Sequence, residues 1–410
     1  MRRPRILIGA LVACAAAAAA FGSAASSGSS LSKIQPSTIA ITSKYAGGKT
    51  GKANPNLAPV KIGFADEEGA APSFAEMDHA ASASVSFVNK YLGGIGGHPL
   101  VLDKCVIQSE EDGQKCGAQF LANKDVLVNM GLAVVGNTSL YTVLAGKIPV
   151  IVSGEGGGAD ITNKHVWLLD GGGGLMIGGM AQIAAKLGAK TLAIVSSSNP
   201  AGKYAVQSLL IPVMDQLHLT YKVVYESDTG TTPDYVSAYQ AAGASSADAM
   251  LLIPAQVTGC ISTLAALKQL GVTKPVVVTY TCYGSPFPSA SAPNWYYSGF
   301  DTNPHVASDP QAIAWRNIMT AYGQTAWMFT GDAPEELQDI LLIARFGDQI
   351  GFAHLTPAAF DAKIAALKTT GFMVPGKLDC TAPPAGTPGI CGTTITASTF
   401  KSGHFVTYKP

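Results

Sequence analysis

Charge is what this chain has least of. Only 13% of its 410 residues are Asp, Glu, Lys or Arg, against roughly 25% in an average soluble protein. Lys+Arg and Asp+Glu both total 27, and no basic block stands out, which argues against nucleic acid or an anionic membrane surface as the partner. Beyond the first 25 residues no run approaches the roughly 18 consecutive apolar residues of a membrane span. Cysteine is sparse too, and none of the 7 forms a C-x-x-C pair. His79, His98, His165, His218, His305, His354 and His404 are scattered, so no metal and no cofactor is expected.

Catalytic frames are missing as well. Ala201-Gly202-Lys203-Tyr204 and Ala145-Gly146-Lys147-Ile148 lack the earlier glycine and the hydroxyl of a phosphate loop. The stretch from Gly171 to Gly178 does not keep the G-x-G-x-x-G spacing of a dinucleotide loop, and Ser153 has no G-x-S-x-G frame. Glu67-Glu68 and Glu110-Glu111 are adjacent pairs whose side chains diverge, and they read as solvated loop charge. No enzyme is expected from this sequence.

Hydrophobic residues are abundant at 47%, and 410 residues suit two lobes rather than one ordinary domain. Residues 1–25 carry the marks of an export signal: basic Met1-Arg2-Arg3-Pro4-Arg5, apolar Ile6 to Phe21, and small Gly22-Ser23-Ala24-Ala25. Two outcomes stay open, cleavage near Ala25 or lipidation at Cys14 within Leu11-Val12-Ala13-Cys14. Either way the protein is expected outside the cytoplasm, touching a membrane only through a lipid anchor. Residues 26–57, rich in Ser, Gly, Lys and Pro, read as a flexible spacer. The other six cysteines fall into near-neighbour pairs, Cys105 with Cys116, Cys260 with Cys282 and Cys380 with Cys391. Six cysteines allow fifteen pairings, and short loops favour the sequential one. Each bridge could add about 3 kcal/mol in an oxidising compartment.

From Val60 to Leu102 the pattern is strand, acidic loop, helix, glycine turn and strand. Such a unit places the loop from Ala65 to Pro72 at the carboxyl edge of a parallel sheet. Further strands are expected over 133–136 and 149–152. A second α/β series of the same order runs from residue 170 to 300, and amphipathic helices follow over 309–322, 334–346 and 356–367. The chain thus predicts an α/β protein of two Rossmann-like lobes with parallel-rich sheets. The boundaries expected are 58–169 plus 301–375 for the first lobe and 170–300 plus 376–410 for the second.

These residues carry a resemblance. Lys61-Ile62-Gly63-Phe64, then Phe87-Val88-Asn89-Lys90 and Gly93-Gly94-Ile95-Gly96-Gly97-His98-Pro99-Leu100, resemble the opening of class I periplasmic binding proteins of the leucine/isoleucine/valine-binding family. Ala133-Val134-Val135-Gly136 with Ser139, Ile148-Pro149-Val150-Ile151, Thr191 to Val195 and Leu267 to Pro275 continue the likeness over about residues 58–410. The Cys105/Cys116 bracket is similar to a variant in that family. The resemblance implies a receptor that closes two lobes, joined by a three-strand hinge, on a small solute and docks on the permease of an ABC transporter; a monomer is expected. Crossings are implied near 168–172, 299–303 and 373–378. The ligand-binding candidates it implies are Glu67, Glu68, Thr138, Ser139, Ser153, Gly154 and Glu155 in the first lobe, and Asn199, Tyr204, Thr231, Gln256 and Tyr283 in the second.

The sequence departs from the family where an amino acid would be clamped. Ala201-Gly202 and Thr231-Thr232 stand where amino-acid-binding members have a Tyr-Gly pair and an acidic residue. An amide, polyol, aromatic or other small organic ligand is therefore as consistent as an amino acid. A sensor of the same fold, presenting its ligand to a membrane signalling partner, is the alternative.

Overall fold

The structure, a computed structural model, describes residues 33–69, 73–284 and 287–409. The export signal with Cys14, the start of the expected spacer, and the tip Ala70-Ala71-Pro72 of the first loop lie outside the described residues.

The chain runs through α1 (Pro36–Tyr45), β1 (Val60–Glu67), α2 (Ala75–Tyr91), β2 (Leu100–Ile107), α3 (Glu110–Asn123), β3 (Val128–Met130), α4 (Asn137–Leu144), β4 (Val150–Val152), α5 (Gly158–Thr162) and β5 (Val166–Leu168). These five strands form an all-parallel sheet in the order β2-β1-β3-β4-β5. Helices between parallel neighbours cover both faces, so the inner strands are apolar on both sides; all of Val150, Ile151 and Val152 are buried. α3 and α4 pack so closely that a Cβ on Gly113 would stand 2.0 Å from the Gly136 carbonyl oxygen, so no larger residue fits there. Ser109 starts α3 by accepting from the Asp112 N–H.

The sequence reading placed the third strand at 133–136, whereas the sheet takes Val128–Met130. Asn129 interrupts the apolar run there, which hides the strand from a pattern search. Its side chain is buried and donates to Glu336 at 2.6 Å. Residues 133–136 instead form the loop that leads into α4.

The second series is α6 (Gly172–Lys186), β6 (Thr191–Ser197), α7 (Pro200–Tyr204) running through a π turn into α8 (Ile211–Gln216), β7 (Thr220–Glu226), α9 (Thr232–Ala242), β8 (Ala249–Ile253), α10 (Val257–Gln269), β9 (Val276–Thr279) and β10 (Trp295–Gly299). The chain then makes α11 (Pro310–Ala321), α12 (Ala333–Ile350), α13 (Pro357–Ala365), a hairpin of β11 (Lys368–Thr370) and β12 (Lys377–Asp379), and a closing hairpin of β13 (Thr396–Lys401) and β14 (His404–Tyr408). The second sheet has the order β14-β13-β10-β9-β8-β6-β7, parallel from β7 to β10 and antiparallel beyond.

α11 and α12 return to the first lobe. Leu337, Ile340, Leu341 and Ala344 share a core with Ile62, Ala80, Phe87 and Val88. The chain passes between the lobes after β5 and after β10. Its last passage precedes β13, where Leu378, Cys380 and Cys391 still belong to the first core, Ile390 bridges Leu168, and Gly392 donates to the Asp170 carbonyl. The sequential cysteine pairing is present, with Cα–Cα separations of 5.6 Å for Cys105–Cys116, 5.5 Å for Cys260–Cys282 and 4.2 Å for Cys380–Cys391.

The spacer reading needs correction over residues 36–45, which form α1. Polar composition misled here, because Thr38 and Thr42 are buried and Ile34 and Ala46 join the first core. The Asn317 Oδ1 on α11 accepts both the Gln35 N–H and the Thr38 hydroxyl at 2.9 Å, and the Tyr45 hydroxyl accepts from Gln311 at 2.7 Å. Replacing Asn317 with Ala leaves the buried Thr38 hydroxyl and the part-buried Gln35 N–H unpaired and should cost about 1–3 kcal/mol. A urea midpoint unchanged in Asn317→Ala would show that α1 is not part of the folded lobe.

Candidate functional site

Loops at the carboxyl edges of the two sheets meet between the lobes, as open α/β sheets arrange their ligand edges. From the first lobe come the ends of β1, β3 and β4, and from the second the ends of β6 and β9. Two hydrogen bonds cross the gap. Glu155, after β4, accepts from the Gly173 N–H at the start of α6 at 2.7 Å, and Tyr280, after β9, donates to Asp332 at 2.9 Å. A Cβ on Gly154 would stand 2.8 Å from the Asp332 carboxylate, so this glycine lets the two segments approach.

The residues expected from the sequence fall into three groups. Glu155, Gly154, Tyr204 and Tyr283 line or approach the junction. Burial raises Tyr204 above the usual tyrosine range, and the charges of Glu155 and Asp160 in the facing lobe add to it. Tyr283 is 4% exposed and its hydroxyl has no partner among the described residues. A second group is tied into its own lobe. Glu67 is 2% exposed and accepts from the Val134 and Val135 N–H groups, at 2.8 and 3.3 Å, holding the loop after β3. It is therefore not the solvated charge its sequence context suggests, although Glu68 beside it is partly exposed. Ser153 is buried and donates to Asp339 at 2.8 Å, and Ser139 donates to Glu110. The third group is local capping. Thr138 is exposed beside Asn137, Asn199 caps α7 through the Gly202 N–H at 2.7 Å, Thr231 closes a capping box with Asp234, and Gln256 is an exposed N-cap residue of α10.

What the sequence reading missed is acidic. Asp170 on the first crossing, Asp301 on the second, and Asp332 and Glu335 at the start of α12 are all at most 4% exposed. Glu335-Glu336 reads in sequence as an ordinary helix start, which favours acids but leaves them in water. α12 is buried along most of its length, so its first turn is buried too. Glu336 accepts from Asn129, and Asp339 from Ser153. Glu335 has no donor for either carboxyl oxygen among the described residues, and Asp301 Oδ2 has none. Asp170 accepts from the Gly172 N–H and lies beside Glu335. Among the described residues no Lys, Arg or His forms an ion pair with any of these groups.

Burial without a counter-charge favours the neutral acid. It pushes Asp301 up to about 8 and Asp170 and Glu155 up to about 7, and it raises Asp332 and Glu335 well above the usual carboxyl range, with neighbouring carboxyls adding to the effect. Aromatic rings stand close by. Tyr280 approaches Tyr283 and Phe300 at 6.3 and 5.8 Å between centroids, and His305 stacks on Phe329 at 3.8 Å. Burial drops the His305 imidazole to about 4, so it supplies no positive charge at neutral pH.

These shifts carry a sign. Each raised carboxyl binds its proton more tightly in the native than in the unfolded chain, where it titrates near pH ~4. Its stabilising contribution is complete below that pH and is lost as pH rises through the native value. With values of about 7 and 8, the melting temperature of the ligand-free protein should fall by several degrees between pH 5 and pH 8.5. A melting temperature that rises over this range would contradict the burial of uncompensated carboxyls.

Comparison with known proteins agrees with the geometry. The described fold is shared with an extracellular ligand-binding receptor from Verminephrobacter eiseniae, at 16% identity and TM-score 0.69, covering 86% of this chain and 100% of that one. It is shared with a branched-chain amino acid ABC transporter protein from Thermus thermophilus with bound valine, at 14% identity and TM-score 0.68, covering 88% of this chain and 96% of that one. An ABC transporter substrate-binding protein from Desulfitobacterium hafniense in complex with Leu matches at 16% identity and TM-score 0.65, covering 86% and 100%. No curated protein matches the chain. The family described as periplasmic binding protein matches residues 59–390, and with two α/β lobes, repeated crossings and facing sheet edges the chain belongs to that family, in its class I form.

Proposed function

We propose that this protein is the solute receptor of an ABC importer, working outside the cytoplasm and delivering a small organic ligand to a membrane permease. The observation that carries the reading is the junction itself. Carboxyl-edge loops of two separate sheets meet there, linked by Glu155–Gly173 and Tyr280–Asp332, while the chain between the lobes is limited to narrow crossings. A ligand that touches both edges favours the closed state by its extra contacts there, and only by those. Structures of the same fold are known with bound valine and in complex with Leu, which supports a solute of amino-acid size. Among the described residues no serine, threonine or cysteine at the junction is hydrogen-bonded to a histidine; Ser153 pairs with Asp339 and His305 with the Tyr283 carbonyl, so the proposed role is binding rather than turnover.

The interlobe bonds define what closure needs. Tyr280 gives its hydroxyl hydrogen to a carboxylate anchored on α12, and that bond exists only with the lobes together. A Tyr280→Phe variant should weaken solute binding roughly fivefold, the loss of about 1 kcal/mol, with little change in the stability of either lobe.

A thermal-shift panel on the purified protein, containing leucine, valine, amides, polyols, aromatic acids and amines, tests the reading. A solute at 100 times its Kd adds about 2.7 kcal/mol to native stability and should also reduce the radius of gyration in solution scattering. If no member of the panel shifts the melting temperature, the receptor assignment is wrong.

A further inference from the structure

The four acids at the junction, Asp170, Asp301, Asp332 and Glu335, come from three separate stretches of chain and are all nearly out of reach of water. Buried charges in folded proteins are paired or coordinate a metal, and otherwise they hold protons. Here no basic side chain of the described residues pairs with them. Nor do three or more of the described Asp, Glu, His or Cys side chains converge as ligands for a metal ion.

A second observation concerns the facing tyrosine. Tyr283 is 4% exposed, its hydroxyl has no hydrogen-bond partner among the described residues, and the charges that weigh on it are those of Asp301, Asp332 and Glu335. A buried hydroxyl left free, with unpartnered oxygens on Glu335 and Asp301 nearby, is a polar atom waiting for a group that can reach both. The wall it stands on is aromatic, with Tyr280 at 6.3 Å and His305 at 5.9 Å between ring centroids. Carboxylates with tyrosine faces are the surroundings that hold an ammonium or guanidinium, through charge-assisted hydrogen bonds and ring electrostatics together.

We infer that the junction is built for an organic cation, a compound with more protonated amine or guanidinium groups than carboxylates, held by Asp301, Asp332 and Glu335 with Tyr280 and Tyr283. This rests on the solute-receptor reading and names the ligand class of that same site. A neutral zwitterion such as leucine brings its own carboxylate among these acids, where a second anion opposes the ionisation that a bound ammonium calls for. A dication has the opposite balance. In the free protein burial keeps Asp301, Asp332 and Glu335 protonated, and a bound dication lets them ionise against it with release of protons.

The test compares 1,4-diaminobutane with the neutral 1,4-butanediol, with leucine and valine, and with magnesium chloride, by calorimetry and thermal shift on the purified protein. The diamine is expected to bind at least about tenfold tighter than leucine, the equivalent of one charge-assisted hydrogen bond, and the diol not to bind. Glu335→Gln keeps the shape of the protonated acid and cannot ionise. It should leave the melting temperature of the free protein close to that of the parent at neutral pH while weakening the diamine about 10- to 100-fold; a purely structural role for Glu335 would move the first without the second. Tyr283→Phe provides the check should Glu335→Gln fold poorly, and it should also weaken the diamine. If leucine or valine binds and the diamine does not, the cation inference fails while the receptor reading stands. A response to magnesium alone overturns the organic ligand, and silence across the whole panel overturns both.

Discussion

The structure turns on a conflict within one helix. α12 must be buried, because Leu337, Ile340, Leu341 and Ala344 close the first core over α2. Yet its opening turn carries Glu335, Glu336 and, one turn on, Asp339. Burying an acid without a partner costs several kcal/mol or forces it to keep a proton. The fold relieves this group by group. Asn129 on β3 donates to Glu336, Ser153 after β4 donates to Asp339, and Tyr280 from the facing lobe donates to Asp332. Glu335 is left without a donor. The helix is fixed to its own sheet by satisfied acids, and the unsatisfied ones are those that face the crossings.

That division separates rigidity from response. Glu67 clamps the loop after β3 through two backbone N–H groups, and the Cys260–Cys282 bridge ties α10 to the turn after β9. Such features hold each jaw in one shape whether or not a ligand is present. The groups that change environment when lobes separate are fewer. Asp332 would lose Tyr280, and Glu155 would lose Gly173. The cost of burying unpartnered acids favours separation and the interlobe bonds oppose it, so the two states need differ by only a few kcal/mol for a ligand to decide between them.

Much of the fold was legible because its signals are local. Apolar strands, Ser109 and Thr231 as caps, and the Gly93-to-Gly97 turn before Pro99 each declare an element within a few residues. The failures have local causes as well. Asn129 breaks the pattern of β3 although it is a buried partner for Glu336, and α1 has the polar composition of a spacer although Thr38 and Asn317 bind it to α11. The site was legible only in outline. Glu155, Tyr204 and Tyr283 were implied by the family resemblance, which points to loops after particular parallel strands, and such loops reach one sheet edge. Asp170, Asp301, Asp332 and Glu335 were not, since their meeting depends on how three distant stretches return to one point. An acid at a helix start looks the same in sequence whether it ends in water or in a core.

The same distinction explains why likeness to other receptors says so little about the solute. At 14–16% identity the shared fold itself asks only for what any sequence needs to build parallel sheets with facing carboxyl edges, such as apolar strands and glycines where backbones approach closely. The side chains at the edges are free of that demand. Ser139, Asn199 and Thr231 show it, because here Ser139 donates to Glu110 and the other two serve helix caps. Recognition then falls to groups that local structure does not consume. Among the described residues at this junction, the Tyr283 hydroxyl and oxygens of Glu155, Glu335 and Asp301 have no partner, and on the cation proposal it is this acceptor-rich set that a donor-rich solute would meet.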